Sequence, residues 1–350
     1  MTGVDRFAVE TLKALDQLIS SKHPSVASYE FVILVPKGTQ TDISFRHIPL
    51  EEIGSFQGHL WEQISLPLYR LGKQSLMLNL CNTAPVFSCS QLVVIHDAAV
   101  SRIPHTFSFK FRLLYKILMP VLGNFAKRVL TVSEFSKKDL AKFFHIPEHK
   151  VHVIGESGEH INAFAADTDI LSKHGLGSRR YLLAVSSQAP HKNFKLISEA
   201  IEYLQDVGFD IVIAGGMNAA VFGQNAHGLS QKIKWTGYVS NEELHALYAN
   251  ALCFVFPSLY EGFGIPPLEA MSCGCPVLAS NAASIPEVCG DAALYFSPDD
   301  PQALAALIES FCKDSDLQKR MIEKAAHHAA TFSWKNAALS LVHHCDQMHS

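Results

Sequence analysis

Two carboxylates, Glu261 and Glu269, are separated by seven residues that hold a glycine turn and a proline pair, Gly262-Phe263-Gly264-Ile265-Pro266-Pro267-Leu268. An apolar, β-rich run, Cys253 to Phe256, comes before them, and Ala270-Met271 and then Gly274 follow. This reads as a strand, a glycine loop and a short helix. Proline suits the first helical turn and glycine the position just past the last, which predicts a helix from about Pro266 to Ser272. Its N-terminus would offer backbone N–H groups and partial positive charge to the loop, a setting that suits a phosphate. A carboxylate beside a phosphate is repelled unless it is aimed at hydroxyls. On helical geometry the two acids would stand roughly 12 Å apart, far enough to hold hydroxyl groups on either side of a diphosphate. The ligand this implies is a sugar nucleotide; by composition alone an ordinary α/β loop with exposed acids fits equally well.

The elements around this stretch alternate between strand and helix. Runs at Tyr29–Val35, Ser75–Leu80, Leu92–Ile95, Val129–Val132, Val151–Ile154, Tyr181–Val185, Phe209–Ala214, Ile233–Val239, Pro276–Ala279 and Ala293–Phe296 read as strands, several apolar throughout, as in a parallel sheet buried on both faces. Helical periodicity starts at Phe7 and continues through Ala8, Leu12, Leu15, Leu18 and Ile19. The pattern predicts doubly wound α/β sheets, in which ligands bind beyond the carboxyl ends of strands. Several candidates lie at such ends. His96 and Asp97 follow the third strand, as cleft residues or as a packed histidine and a turn cap. Lys192 follows Tyr181–Val185 at the entry to a helix, placed to neutralise a diphosphate or simply to face solvent. Gly237, Tyr238 and Val239 form a glycine turn beside an aromatic ring, fit to seat a nucleobase or to end a core strand.

With 350 residues, 48% apolar and 18% charged, the chain suits two globular domains. A net charge of −4 without long blocks argues against a nucleic-acid binder, which needs a basic face. The eight cysteines show no Cys-x2-Cys pair and several sit in apolar runs, pointing to buried thiols in a reducing compartment and no zinc site. The polar opening is not a signal peptide, and no apolar run approaches the roughly 20 residues that span a bilayer. Residues 107–127 mix aromatic and aliphatic side chains with Lys110, Arg112, Lys116 and Lys127. They read either as a core helix with a basic solvated face, kinked at Pro120, or as an amphipathic helix for an anionic membrane. Residues 145–180 read as the interdomain linker.

The segment 254–276 closely resembles the Glu-x7-Glu signature of family 4 glycosyltransferases (glycosyl transferases group 1), retaining enzymes of the GT-B fold. Both glutamates, the Glu-Gly-Phe-Gly core, the Pro-Leu-Glu-Ala-Met helix, the Gly-Cys-Pro-Val that follows and Ile285-Pro286-Glu287 all fit. The resemblance implies an α/β, GT-B chain of two Rossmann-like doubly wound domains facing across a cleft. Residues 1–165 would form the acceptor side, 166–330 the nucleotide-sugar side, and 331–350 a helix crossing back to the first domain.

For the site, the resemblance implies Glu261, His96 and Lys192 as catalytic residues. The donor would be held by Gly3, Ser186, Ser187, Lys192, Gly237, Tyr238, Val239, Glu261, Gly262, Phe263, Gly264, Ile265 and Glu269. Glu269 would take the ribose hydroxyls and Glu261 the sugar. Ser186 and Ser187 stand where many members carry an arginine, and His191 where an arginine often precedes the lysine, so one phosphate cation is absent. In the family the Thr-Gly-Val-x-Arg turn, here Thr2 to Arg6, follows a first strand; the expectation is that coding sequence upstream of Met1 supplies one. No metal and no cofactor are implied, with the leaving phosphate acting as base in a front-face attack. The expected activity is transfer of a mannose- or rhamnose-type sugar to a glycan or lipid-linked acceptor in polysaccharide or lipopolysaccharide assembly. The expected location is the cytoplasm, with peripheral contact at the inner face of the membrane. The alternative is a catalytically weak or inactive sugar-nucleotide-binding protein of the same fold.

Overall fold

The apolar runs form parallel strands throughout. The computed structural model describes residues 2–41, 43–88, 90–177, 180–186, 189–204, 208–216 and 233–349, the side chains of residues 186 and 349 excepted. These divide into two units, Met1–Glu156 with Trp334–Ser350, and Ser157–Ser333. The division falls nine residues before the 165/166 boundary read from the sequence, because residues 157–163 pack within the second unit.

In the first unit, helix α1 (Gly3–Ser20) opens with a reciprocal cap in which the Thr2 side chain accepts from Asp5 N and the Asp5 carboxylate accepts from Thr2 N. It buries Phe7, Leu15 and Leu18. Strands β1 (Ile33–Pro36) and β2 (Leu50–Ile53) form a parallel pair. β2 was not expected; Leu50, Glu51 and Glu52 are exposed and only Ile53 is buried, so it carries none of the apolar pattern of a core strand. Strands β3 (Met77–Asn79), β4 (Gln91–Val94), β5 (Arg128–Thr131) and β6 (Val151–Val153) make a four-stranded parallel sheet in that order. Helices α2 (Phe109–Phe125) and α3 (Glu134–Phe144) pack on it through Met119, Leu122, Leu140 and Phe144. Ser133 caps α3 at Ser136 N, 3.0 Å away, as its sequence position suggests.

The second unit is a six-stranded parallel sheet. Its strands are β7 (Arg180–Ser186), β8 (Phe209–Gly215), β9 (Ile233–Gly237), β10 (Cys253–Phe256), β11 (Val277–Ser280) and β12 (Ala293–Phe296). Their order across the sheet is β12-β11-β10-β7-β8-β9. The crossover helices are α4 (Phe194–Ile201), α5 (Asn241–Asn250), α6 (Ile265–Ser272) and α7 (Ile285–Cys289), followed by α8 (Pro301–Lys313) and α9 (Ser315–Ala329). Leu182, Ile211, Val255 and Leu278 from four neighbouring strands form the core with Phe194, Ile197, Ile308 and Phe311 from α4 and α8. Each such side chain, fully buried, contributes about 1.5–3 kcal/mol. Starting from β7, the chain builds outward through β8 and β9, then crosses to the other side of β7 to place β10. The strand order therefore reverses between β7 and β10, and their carboxyl ends mark the switch point where open α/β sheets bind ligands. The last helix, α10 (Trp334–His349), returns to the first unit, where Tyr29 OH donates to Asp346 Oδ1 at 2.6 Å.

Candidate active site at the β7–β10 switch point

β7 and β10 pair directly, Leu182 with Cys253 and Leu183 with Phe254. Their carboxyl ends lead into the turn Pro190–Lys192 and the loop 257–264. Leu259 N donates to His191 O at 2.8 Å, which ties the two together. The outcome is a contact that spans 69 residues of sequence: Lys192 Nζ donates to Glu261 Oε1 at 2.7 Å, with the side chains 20% and 12% exposed. The ammonium also stands 5.7 Å from the centre of the Phe256 ring. Ser284, fully buried before α7, holds the loop from its hydroxyl, 3.0 Å from Glu261 O and 2.9 Å from Phe263 O.

Gly264 turns the loop into α6 at φ +103°, a conformation that a side chain would strain. The helix starts at Ile265, one residue before the expected Pro266, and Pro266 and Pro267 remove two of the four amides that a helix N-terminus leaves without intrahelical partners. The positive end of α6 is therefore narrower than the motif suggests. Phe263 and Ile265 are buried, Phe263 edge-on to Phe332 at 6.0 Å, so these two expected donor contacts reduce to backbone groups.

Glu269 lies one turn into α6 and is 8% exposed. His160 Nε2 is 2.9 Å from Oε1, and Tyr248 OH donates to Oε2 at 3.2 Å. A buried carboxylate is tolerable only when hydrogen-bonded, and these two groups meet that need. Neither was anticipated. Tyr248 reads as a core residue of α5, and His160 lies in the stretch that reads as linker, 109 residues from its partner.

The remaining candidates are spread more widely. Gly237 ends β9 and Val239 is half-buried, whereas Tyr238 is 84% exposed, which rules out a packed strand end for its ring. Ser187 and the Ser186 side chain lie outside the described residues. His191 does not replace the missing cation: burial, then the adjacent Lys192 charge, lowers its pKa below the ordinary value, which keeps the ring neutral. Gly3 is an exposed residue in the first turn of α1, in the other unit.

His96 differs most from expectation. It is 4% exposed at the end of β4, with Nε2 3.0 Å from Leu80 O and Nδ1 3.4 Å from the Glu156 carboxylate. The carbonyl accepts and the carboxylate favours the protonated ring, so both ring nitrogens are engaged within the protein. Asp97 is a turn cap, accepting from Ala99 N at 2.8 Å. Two Asp-x-Asp spacings also occur, at 167/169 and 314/316, and both open helices: Asp167 Oδ1 accepts from Asp169 N and Asp314 Oδ1 from Leu317 N.

The second unit is thus a parallel α/β sheet whose switch point carries a Lys–Glu pair, a glycine loop and a second, buried glutamate. The profile of the family described as Glycosyl transferases group 1 matches residues 166–328, all of it within the second unit. The O-antigen chain mannosyltransferase B of Escherichia coli is 32% identical over 262 residues, 72% of this chain and 68% of that one. The O-antigen chain mannosyltransferase RfbU of Salmonella typhimurium is 30% identical over 246 residues, 69% of this chain and 66% of that one. Among solved structures, Anabaena HepE in complex with UDP-glucose superposes with a TM-score of 0.66 at 16% identity, covering 91% of this chain and 99% of that one. The chain belongs to the group 1 glycosyltransferases and has their GT-B fold.

Proposed function

We propose that this protein transfers a mannose- or rhamnose-type sugar, with retention and without a metal ion, from a nucleotide-diphosphate sugar to a glycan or lipid-linked acceptor in polysaccharide assembly. The observation that carries the reading is the Lys192–Glu261 contact at the switch point. In this reading Lys192 is the cation for the diphosphate, Glu261 the carboxylate for the sugar, and Glu269, one helix turn further on, the acceptor for the ribose. The sugar class follows from two relatives whose names are O-antigen chain mannosyltransferases, and the donor class from a fold neighbour solved with UDP-glucose. In this reading Lys192 and the loop amides stabilise the charge that grows on the leaving diphosphate, where preorganised groups act on the transition state. The leaving phosphate takes the acceptor proton in a front-face attack.

The test is a panel of UDP-, GDP-, ADP- and dTDP-sugars offered to the full chain, read as both binding and release of nucleoside diphosphate. Turnover of at least one donor supports an enzyme. Binding without turnover of any donor supports the non-catalytic alternative.

Helix α2 supports a cytoplasmic protein that works at a membrane surface. Its inner face, with Met119 and Leu122, packs in the first unit. Its opposite face also carries large apolar groups, Leu113, Leu114 and Ile117, the last 62% exposed. Phe125 extends this surface by an edge-on contact at 5.7 Å with Phe87, itself 81% exposed. Lys110, Arg112 and Lys116 lie on the same helix, and none forms an ion pair among the described residues. No acid occurs between Asp97 and Glu134 in a chain of net charge −4. An apolar helix face with unopposed cations matches an anionic bilayer surface. Among the described residues no helix is long and apolar enough to cross a membrane.

A further inference from the structure

Glu269 is held by two buried side chains of its own unit. Its two oxygens are divided between partners on different elements, His160 on the turn Glu159–Ala163 and Tyr248 on α5, and both partners are buried. The turn is docked on α6 in a way that only glycine permits. A Cβ at Gly158 would stand 2.2 Å from the Leu268 carbonyl carbon and 2.3 Å from Glu269 N. Asn162 Nδ2 reaches Ser272 O, at 3.4 Å, and anchors the far end of the turn. Tyr248 is wedged edge-on against Phe254 at 5.3 Å. The orientation of the Glu269 carboxylate is therefore set by packed protein. A carboxylate has about four acceptor directions and these bonds use two of them, which leaves the rest in fixed directions for further donors.

We propose that His160 and Tyr248 are a positioning pair that presents the open edge of Glu269 to the vicinal ribose hydroxyls of the donor, so that the site selects ribonucleotides over their deoxy counterparts. The proposal rests on the assignment of Glu269 to the ribose. A carboxylate free to rotate would find one hydroxyl in several poses and lose little when the other is absent. A fixed one accepts both, and a ligand lacking one leaves a buried acceptor unpaired. Sites built to hydrogen-bond a hydroxyl reject analogues without it for this reason.

The experiment is calorimetric titration of the full chain with UDP and GDP, continuing with whichever binds more tightly and its 2′-deoxy and 3′-deoxy forms. The proteins are wild type, His160→Leu, His160→Gln, Tyr248→Phe and Glu269→Gln, each checked for a native melting transition. Wild type is expected to favour the ribonucleotide by about tenfold or more, the range of a hydrogen bond to a charged group. In His160→Leu and Tyr248→Phe that ratio falls towards one while affinity for the deoxy ligands changes little. His160→Gln, whose amide reaches the same oxygen, recovers most of the ratio. Equal loss of affinity for ribo and deoxy ligands in His160→Leu would mean a merely structural contact and overturn the proposal. So would an unchanged ratio in His160→Leu when Glu269→Gln abolishes it. An unchanged ratio in Glu269→Gln would instead overturn the ribose assignment beneath it.

Discussion

Lys192 and Glu261 stand 2.7 Å apart, each neutralising the other. The pair is mostly buried, so desolvation offsets much of its attraction and its net contribution to stability is small. A bound diphosphate can take over Lys192 and release Glu261 to the sugar hydroxyls at little cost. The Glu261→Gln variant is therefore expected to bind UDP or GDP at least as tightly as wild type, because its lysine is free. Lys192→Met should bind them about tenfold more weakly, a lost charge-assisted bond. Calorimetry with the nucleoside diphosphates alone checks both; weaker binding by Glu261→Gln would contradict the exchange.

The buried His96–Glu156 pair makes the first unit sensitive to alkali. Burial alone would lower the His96 pKa, but the Glu156 carboxylate, the Leu80 carbonyl and Asp97 outweigh it and raise the value above the ordinary 6.5. A raised folded value means the stabilisation is fully present below about 6.5, the unfolded value, and is lost as pH climbs through the folded one. Exchange protection in peptides covering β4, corrected for the intrinsic rate, should fall as pH climbs through the raised His96 value, and His96→Asn should remove that dependence. Glu156→Ala leaves the buried His96 ring to lose its proton and should remove the same pH dependence.

The C-terminal helix carries the opposite dependence. Burial first, then His152, Arg128 and His343, lower His344 to about 4. Its Nδ1 is 2.7 Å from Arg128 Nη1 and can accept that hydrogen only while the ring is neutral. As pH falls from about 6.5 towards 4 the unfolded state takes up a proton that the folded state refuses, so stability declines. Exchange protection in residues 334–349, corrected for the intrinsic rate, is expected to fall across that acid range in wild type and to stay flat in His344→Gln.

The outward face of α2 predicts binding to vesicles rich in phosphatidylglycerol and not to phosphatidylcholine alone, weakened by salt. Replacing Leu113 and Ile117 by glutamate should abolish flotation with the vesicles and leave turnover of a soluble acceptor intact. Dimerisation that these changes remove, without vesicle binding by wild type, would assign the face to a second copy of the chain.

Much of the second unit was legible because its strands are short apolar runs; Cys253–Phe256 and Ala293–Phe296 fall where the pattern puts them. β2 escaped because two of its four residues are exposed glutamates. In the site, Glu261 and Glu269 could be read because motif, loop and helix lie within a few residues of one another. Their partners could not. Lys192 meets Glu261 only because β7 and β10 are neighbours in the sheet, and His160 meets Glu269 only because Gly158 lets a polar turn settle on α6. The His96–Glu156 contact was not legible, because a strand-end histidine looks the same in sequence whether it faces a ligand or a buried carboxylate.

The central claim is that Glu261 acts on the donor sugar during transfer. The measurement that meets it most directly is the steady-state release of nucleoside diphosphate from the best donor by wild type and Glu261→Ala, assayed side by side at saturating donor. In Glu261→Ala kcat is expected to fall by about 100-fold or more, the loss seen when a preorganised transition-state contact is removed. Equal kcat values in the two proteins would contradict it.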